Sequence, residues 1–256
     1  MRRIIGSTAV LVVAAGSLVL AAQQPVAAAP NCPVGYAHEP YERDVMRQPN
    51  NAAAIRVQKN RGAKAVEGDL RFTKDSSKAV MWHNKSTWGL NYSGTAQDID
   101  SVTWTYLKGL EIKPGQDFSG EGVMTFWAWV NELKAQNLDG LVELKVVPDK
   151  FVEIAKPLAK LGMADRIKFY STGADNTDAT AAINALRNAI GKDHWDSVDD
   201  KNYKMPQVDT QVGQFGPNTW WADSPSAWES TYDKGRPVVT NSIERYKAWA
   251  NGKCNW

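Results

Sequence analysis

The most informative stretch of the sequence is Ala65-Val-Glu67-Gly-Asp69-Leu70, followed closely by Thr73-Lys-Asp75. Its apolar residues predict a buried strand, and residues two apart on a strand point to the same face of the sheet. Glu67 and Asp69 therefore share one face. Because two neighbouring carboxylates repel each other unless a cation or a proton lies between them, this strand also indicates a functional site.

Short apolar runs alternate with helical patterns along the rest of the chain. The other predicted strands are 34–37, 79–82, 141–146, 167–171 and 237–240. The predicted helices are 51–60, 125–136, 148–161, 177–190, 224–233 and 242–251. This alternation predicts an α/β protein with a parallel sheet. For a single domain of this size, a (β/α)8 TIM-type barrel with parallel strands is favoured over an open doubly wound sheet.

Residues 1–29 have the pattern of a secretory signal peptide. Arg2 and Arg3 precede a mostly apolar run, and small residues near Ala28 and Ala29 provide a cleavage site. A membrane anchor is the alternative, but glycine and hydroxyl residues interrupt the run. We therefore expect a secreted, extracellular protein whose barrel domain spans residues 30–256.

Two cysteines remain after this cleavage, Cys32 near the new N-terminus and Cys254 near the end of the chain. An even number of cysteines in an exported protein favours a disulfide. Such a bond requires the two chain ends to meet, as the first and last units of a closed barrel do.

The composition excludes several classes of protein. Hydrophobic residues make up 43% and charged residues 23%, which is typical of a globular domain and not of a disordered or multi-span membrane protein. With 30 basic and 28 acidic residues, the chain offers no electrostatic case for binding nucleic acid. We expect a monomer with a small-molecule partner and no stable membrane insertion.

Further polar residues follow the predicted strands. His38 and His83 come directly after two of them, and Glu143 and Lys145 lie together on the strand 141–146. In a parallel barrel the carboxyl ends of the strands converge on one site. Three carboxylates there would form an all-oxygen site, which suits Mg²⁺ or Ca²⁺ better than Zn²⁺.

The order His, Glu-x-Asp, His, Glu-x-Lys resembles the glycerophosphodiester phosphodiesterase family, within the phosphatidylinositol-phospholipase-C-like superfamily. The resemblance extends from about Gly35 to Trp249 and is most specific between Arg61 and His83. The matching segments are Ala37-His38, the run from Gly62 to Asp75, Trp82-His83, Glu143-Leu-Lys145, the run from Trp220 to Trp228, and Val238-Val-Thr240-Asn241.

The resemblance implies a role for each matching residue. Glu67, Asp69 and Glu143 would hold a divalent cation, and Lys145 would contact the substrate phosphate. His38 and His83 would be general base and general acid, with the assignment between them open. Trp221 would line the substrate pocket. Attack by water and attack by a neighbouring substrate hydroxyl, through a cyclic phosphate, are both open.

Three positions depart from the family pattern: Glu39 replaces an arginine, Asn50 an acid and Asn84 an aspartate. Glu39 would face an ammonium head group such as ethanolamine or choline, join the metal ligands or point into solvent. The leading hypothesis is an exported, metal-dependent phosphodiesterase that hydrolyses glycerophosphodiesters. The alternatives are a phospholipase-D-like enzyme acting on lysophospholipid or sphingolipid head groups, and an inactive barrel that binds phosphorylated ligands or glycans.

Overall fold

A computed structural model of the chain describes residues 31–32, 34–38, 50–76, 78–146, 152–170, 181, 207–208, 225–233 and 237–256. The predicted signal peptide and nearly all of the predicted helix 177–190 lie outside these residues. No helix within the described ranges is long and apolar enough to cross a membrane.

The described residues contain strands and helices in an alternating order, with 3-10 turns at Lys74–Ser76 and Ile99–Ser101. The elements are β1 (Gly35–Ala37), α1 (Ala52–Asn60), β2 (Ala65–Phe72), β3 (Ala79–Met81), α2 (Trp104–Leu107), β4 (Met124–Thr125), α3 (Phe126–Ala135), β5 (Asp139–Leu144), α4 (Val152–Leu161), β6 (Ile167–Tyr170), β7 (Gln207–Val208), α5 (Pro225–Tyr232), β8 (Val238–Thr240) and α6 (Ile243–Ala250).

Six strands pair in parallel in the order β8-β1-β2-β5-β6-β7. The prediction of an α/β fold built on parallel strands is confirmed for this part of the sheet. Among the described residues no pairing joins β7 to β8, so the sheet is open there and closure into an eightfold barrel is not shown.

The prediction that all strands are parallel is wrong for β3 and β4. β3 pairs antiparallel with the end of β2, placing Ala79 opposite Phe72, and β4 pairs antiparallel with β3. Only residues 73–78 connect β2 to β3. A parallel crossover needs a dozen or more residues, so this short connection forces the chain to turn back on itself.

Helices α1, α3 and α4 contribute buried side chains to the main core, including Ile55, Trp129 and Leu158, each fully buried. α1 begins after Asn51, whose Oδ1 accepts a hydrogen bond from the Ala54 N–H at 2.8 Å. Such N-caps satisfy backbone donors that have no partner within the helix. The core thus packs these helices against the sheet, and the cap fixes where α1 begins.

The segment between β3 and β4 forms a lobe with its own hydrophobic cluster. Trp82, Leu90, Ile99, Leu107 and Ile112 are buried in it. The sequence predicted no element between residues 83 and 124, whereas the structure has the 3-10 turn Ile99–Ser101 and the helix α2 there. The lobe begins beside His83 and therefore borders the predicted site.

The predicted disulfide between Cys32 and Cys254 is confirmed, with Cα atoms 5.1 Å apart. Parallel pairing of β1 with β8 brings the two ends of the described chain together. Next to the disulfide, the Cys32 N–H donates to the Asn255 carbonyl oxygen at 3.2 Å. The bond therefore links ends that the sheet already holds in contact.

Candidate active site

Glu67, Asp69 and Glu143 meet where β2 and β5 pair. The register of these strands sets Asp69 directly opposite Glu143, and Glu67 lies two residues before Asp69 on the same face. One carboxylate oxygen from each residue lies within 4.8 Å of the others. Their exposed fractions are 0%, 0% and 3%. The structure thus brings together all three predicted metal ligands.

Lys145 lies inside this acidic cluster and is 4% exposed. Its Nζ donates to Glu143 Oε2 at 2.6 Å and is 3.0 Å from Asp69 Oδ1. Burial alone would lower the pKa of Lys145, but Asp69 and Glu143 outweigh it and raise this pKa, so the amine stays charged. With all three acids ionised, the four side chains carry a formal charge of −2.

The pKa values of the two acids of β2 are shifted in opposite directions. Burial raises the pKa of Glu67 well above its usual range, and repulsion from Asp69 and Glu143 raises it further. Burial would also raise the pKa of Asp69, but Lys145 and His83 act against it and hold this pKa below its usual range. Of the two acids of β2, Glu67 is therefore the one whose ionised form is less stable.

Tyr170 at the end of β6 contacts the same acid. Its hydroxyl donates to Glu67 Oε1 at 3.0 Å. Burial and the neighbouring carboxylate of Glu67 raise the pKa of Tyr170 well above its usual value, so the phenol keeps its proton and remains a donor. This hydrogen bond fixes one oxygen of Glu67 and leaves the other to be satisfied elsewhere.

Two carboxylate oxygens of the cluster lack hydrogen-bond donors among the described residues, and a cation would satisfy them. Within the part of the chain that the structure describes, Glu67 Oε2 and Asp69 Oδ1 are buried without a hydrogen-bond partner, although Asp69 Oδ1 has its ion pair with Lys145. A buried charged oxygen without a partner is costly. Because the donors are all carboxylate oxygens, these residues fit a hard divalent cation such as Mg²⁺ or Ca²⁺.

His38 follows β1 and reaches the cluster from the other side of β2. Its backbone N–H donates to the Thr240 carbonyl oxygen at 2.9 Å, and its Nδ1 lies 2.7 Å from Asn241 Oδ1. An amide oxygen accepts, so this contact needs a proton on Nδ1, and Nε2 is the ring nitrogen left to face the cluster. Nε2 lies 3.6 Å from Glu67 Oε2, directed at the acidic cluster.

His83 reaches Asp69 by a route that differs from the predicted one. The sequence predicted that its strand would end at the carboxyl edge of a parallel sheet, but β3 is antiparallel. The hairpin returns the chain alongside β2, where the Trp82 N–H donates to the Asp69 carbonyl oxygen at 2.9 Å. His83 therefore lies near Asp69, as expected, although the predicted direction of its strand, β3, is wrong.

Arg71 holds the backbone at His83. Arg71 is 3% exposed, and its guanidinium donates to the His83 carbonyl oxygen from Nη2 at 2.7 Å and from Nε at 3.2 Å. At the ring, His83 Nδ1 lies 3.2 Å from Asn84 Oδ1. Asn84, the third departure from the family pattern, thus contacts the imidazole directly.

Sequence reasoning missed Arg71, Tyr170 and Asn241 as residues of the site. Arg71 continues the two-residue spacing of Glu67 and Asp69, so its strand period was a usable signal. The sequence around Tyr170 gave no such signal, because its contact with Glu67 depends on the pairing of β5 with β6. Two predicted substrate contacts, Glu39 and Trp221, lie outside the described residues and remain predictions.

Comparisons with known proteins point to one fold. No protein-family model and no curated protein sequence match the chain. Among solved structures, a protein from Silicibacter pomeroyi assigned to the glycerophosphoryl diester phosphodiesterases matches with a TM-score of 0.60 and 13% identity, over 90% of this chain and 97% of that one.

Two further structures agree. The glycerophosphoryl diester phosphodiesterase domain of a Mycobacterium tuberculosis protein matches with a TM-score of 0.54 and 16% identity, over 86% of this chain and 99% of that one. An Oleispira antarctica phosphodiesterase, solved with its product sn-glycerol-3-phosphate, matches with a TM-score of 0.55 and 14% identity, over 86% and 97%. The chain therefore has the fold of the glycerophosphodiester phosphodiesterases, and the resemblance inferred from its motifs is confirmed at this level.

The raised pKa of Glu67 predicts how the metal-free protein responds to pH. A free glutamate ionises near pH 4.3. Because the folded pKa is higher, wild-type protein loses stability as pH rises from about that value through the folded pKa. Glu67→Gln keeps the acceptor for Tyr170 but does not titrate. Its melting temperature in chelator should therefore rise relative to wild type as the pH is raised.

This trend is measured by thermal unfolding of both proteins in EDTA between about pH 4 and pH 8. A difference in melting temperature that stays constant over the range would contradict the assignment of a raised pKa to Glu67.

Proposed function

We propose that this protein is an exported, metal-dependent phosphodiesterase that hydrolyses glycerophosphodiesters. The supporting observation is the buried set of Glu67, Asp69 and Glu143, with His38 Nε2 directed at it, on the fold of this class of enzyme. A retained acidic cluster and two retained histidines disfavour the alternative of an inactive binding protein.

In this proposal Glu67, Asp69 and Glu143 hold a divalent cation, Mg²⁺ or Ca²⁺. When bound, it supplies Lewis-acid neutralisation of the phosphodiester charge. Lys145 is a charged donor in the same cluster and binds a phosphate oxygen. Tyr170 holds Glu67 in place through its hydrogen bond. Lys145 and Tyr170 thus organise the phosphate side of the site.

The two histidines move protons. One imidazole takes the proton of the attacking oxygen as this oxygen forms a bond to phosphorus, and the other protonates the alkoxide that leaves when the opposite P–O bond breaks. Asn241 fixes the tautomer of His38, and Arg71 and Asn84 hold His83. The attacking oxygen comes from water or from a neighbouring hydroxyl of the substrate.

Phospholipase-D-like cleavage of lysophospholipid or sphingolipid head groups is the second candidate. The pair Thr240-Asn241 also resembles that branch of the superfamily, and both residues contact His38. An ethanolamine or choline head group would suit Glu39, because its ammonium is attracted to a carboxylate.

For the whole protein, we propose a signal peptide at 1–29, secretion, and closure of the barrel between β7 and β8.

A panel of glycerophosphodiesters with product analysis tests the function. We expect glycerol phosphate and a free head-group alcohol as products, complete loss of turnover in EDTA, and recovery with Mg²⁺ or Ca²⁺. Preference for a lysolipid over the soluble diester with the same head group would favour the second candidate. Full activity in thoroughly demetallated protein would refute a metal-dependent mechanism.

Substituting the histidines tests catalysis apart from binding. His38→Ala and His83→Ala should each lower kcat by about 10²–10⁴-fold, the usual contribution of a general acid or base. Because both act on one transition state, the double variant should lose much less than the product of the single losses. Steady-state kinetics on the best diester measures this.

The matched control is His194→Ala, which removes the third histidine, to which the sequence gives no role. It should turn over like wild type. Normal kcat in both the His38 and the His83 variants would instead favour the binding protein.

A further inference from the structure

Asn50 makes two hydrogen bonds to a single residue, the predicted ligand Asp69. Its side-chain Oδ1 accepts from the Asp69 backbone N–H at 2.8 Å, and its Nδ2 donates to Asp69 Oδ2 at 2.9 Å. Asn50 is 2% exposed and Asp69 is fully buried. The amide therefore holds both the backbone and the carboxylate of Asp69, at a buried position where water does not compete for these hydrogen bonds.

The residues around Asn50 are arranged so that it can reach Asp69. A Cβ atom on Gly68 would lie 2.8 Å from Asn50 Oδ1 and 2.9 Å from both Met81 and Trp129. Only glycine at position 68 leaves room for Asn50 Oδ1, Met81 and Trp129 to pack this close to β2.

We propose that Asn50 is a positioning residue for the cation site. By binding Oδ2 of Asp69, it leaves the other oxygen, Oδ1, facing Lys145 Nζ at 3.0 Å, and apart from this ion pair Oδ1 has no hydrogen-bond partner among the described residues. Oδ1 is then the atom that Asp69 offers to a divalent cation. This inference rests on the proposed function, because it assigns Asn50 a role in the metal site of that enzyme.

An amide serves this purpose where an acid would not. A carboxylate at position 50 would lie about as close to Asp69 Oδ2 as the present 2.9 Å contact and would repel it. The amide donates instead and adds no charge. The cluster keeps its formal charge of −2, which one divalent cation neutralises.

The test compares Asn50→Ala with Asn51→Ala, its sequence neighbour. Both asparagines are buried, and each accepts one backbone hydrogen bond at 2.8 Å. Titration calorimetry with Mg²⁺ and with Ca²⁺ on the full chain gives Kd, and thermal unfolding in EDTA gives the stability of each variant alone. We expect Asn50→Ala to raise Kd by about 10–100-fold, the usual effect of losing such a partner.

Asn51→Ala should lower the melting temperature in EDTA while keeping the wild-type Kd, since the cap that it removes is made to Ala54, outside the carboxylate cluster. Asn50→Ser is the second variant should the alanine protein not fold. Its hydroxyl can accept from Asp69 but is too short to reach Oδ2 as well, and it should also raise Kd.

Two results would overturn the inference, and they are distinguishable. Wild-type Kd values in the Asn50 variants would refute the positioning role and leave the proposed enzyme intact. Absence of binding of either cation to wild-type protein would refute both.

Discussion

Three buried carboxylates with one ammonium among them are the constraint on which the rest of the site depends. Burying charge is expensive unless it is paired, and Lys145 can neutralise only part of the charge of Glu67, Asp69 and Glu143. The surrounding residues reduce the cost of the remaining negative charge. Tyr170 donates to one acid and Asn50 to another, and the pKa of Glu67 is raised. In the proposed enzyme, a divalent cation neutralises the remaining charge.

The sheet fixes this arrangement through its register. Asp69 lies opposite Glu143 and Glu143 opposite Tyr170, so three neighbouring strands supply adjacent side chains. A slip of one residue would turn Glu143 to the other face of the sheet and remove a carboxylate from the cluster. Pairing of β1 with β8 likewise places His38 beside Asn241. The position of the site is thus a property of the whole sheet.

Much of the site could be predicted from sequence because its signals are local. The two-residue spacing of Glu67 and Asp69 needs only a strand, and the chain order of the motifs supplied the partners. The direction of β3 was also encoded, in the shortness of the 73–78 connection. The contacts of Tyr170 and Asn50 could not be predicted from local sequence, because they depend on strand register and on packing around Gly68. The lobe between β3 and β4 was not predicted, because its helix α2 has only 4 residues and is too short to show a helical period.

A crystal structure of the protein grown with Mn²⁺ tests the central claim most directly. Mn²⁺ takes oxygen ligands as Mg²⁺ and Ca²⁺ do, and its anomalous scattering locates it independently of any model of the site. The account predicts one strong anomalous peak within coordination distance of oxygens from Glu67, Asp69 and Glu143. A cluster without a peak, with Lys145 still paired to Asp69 and Glu143 at saturating Mn²⁺, would contradict it.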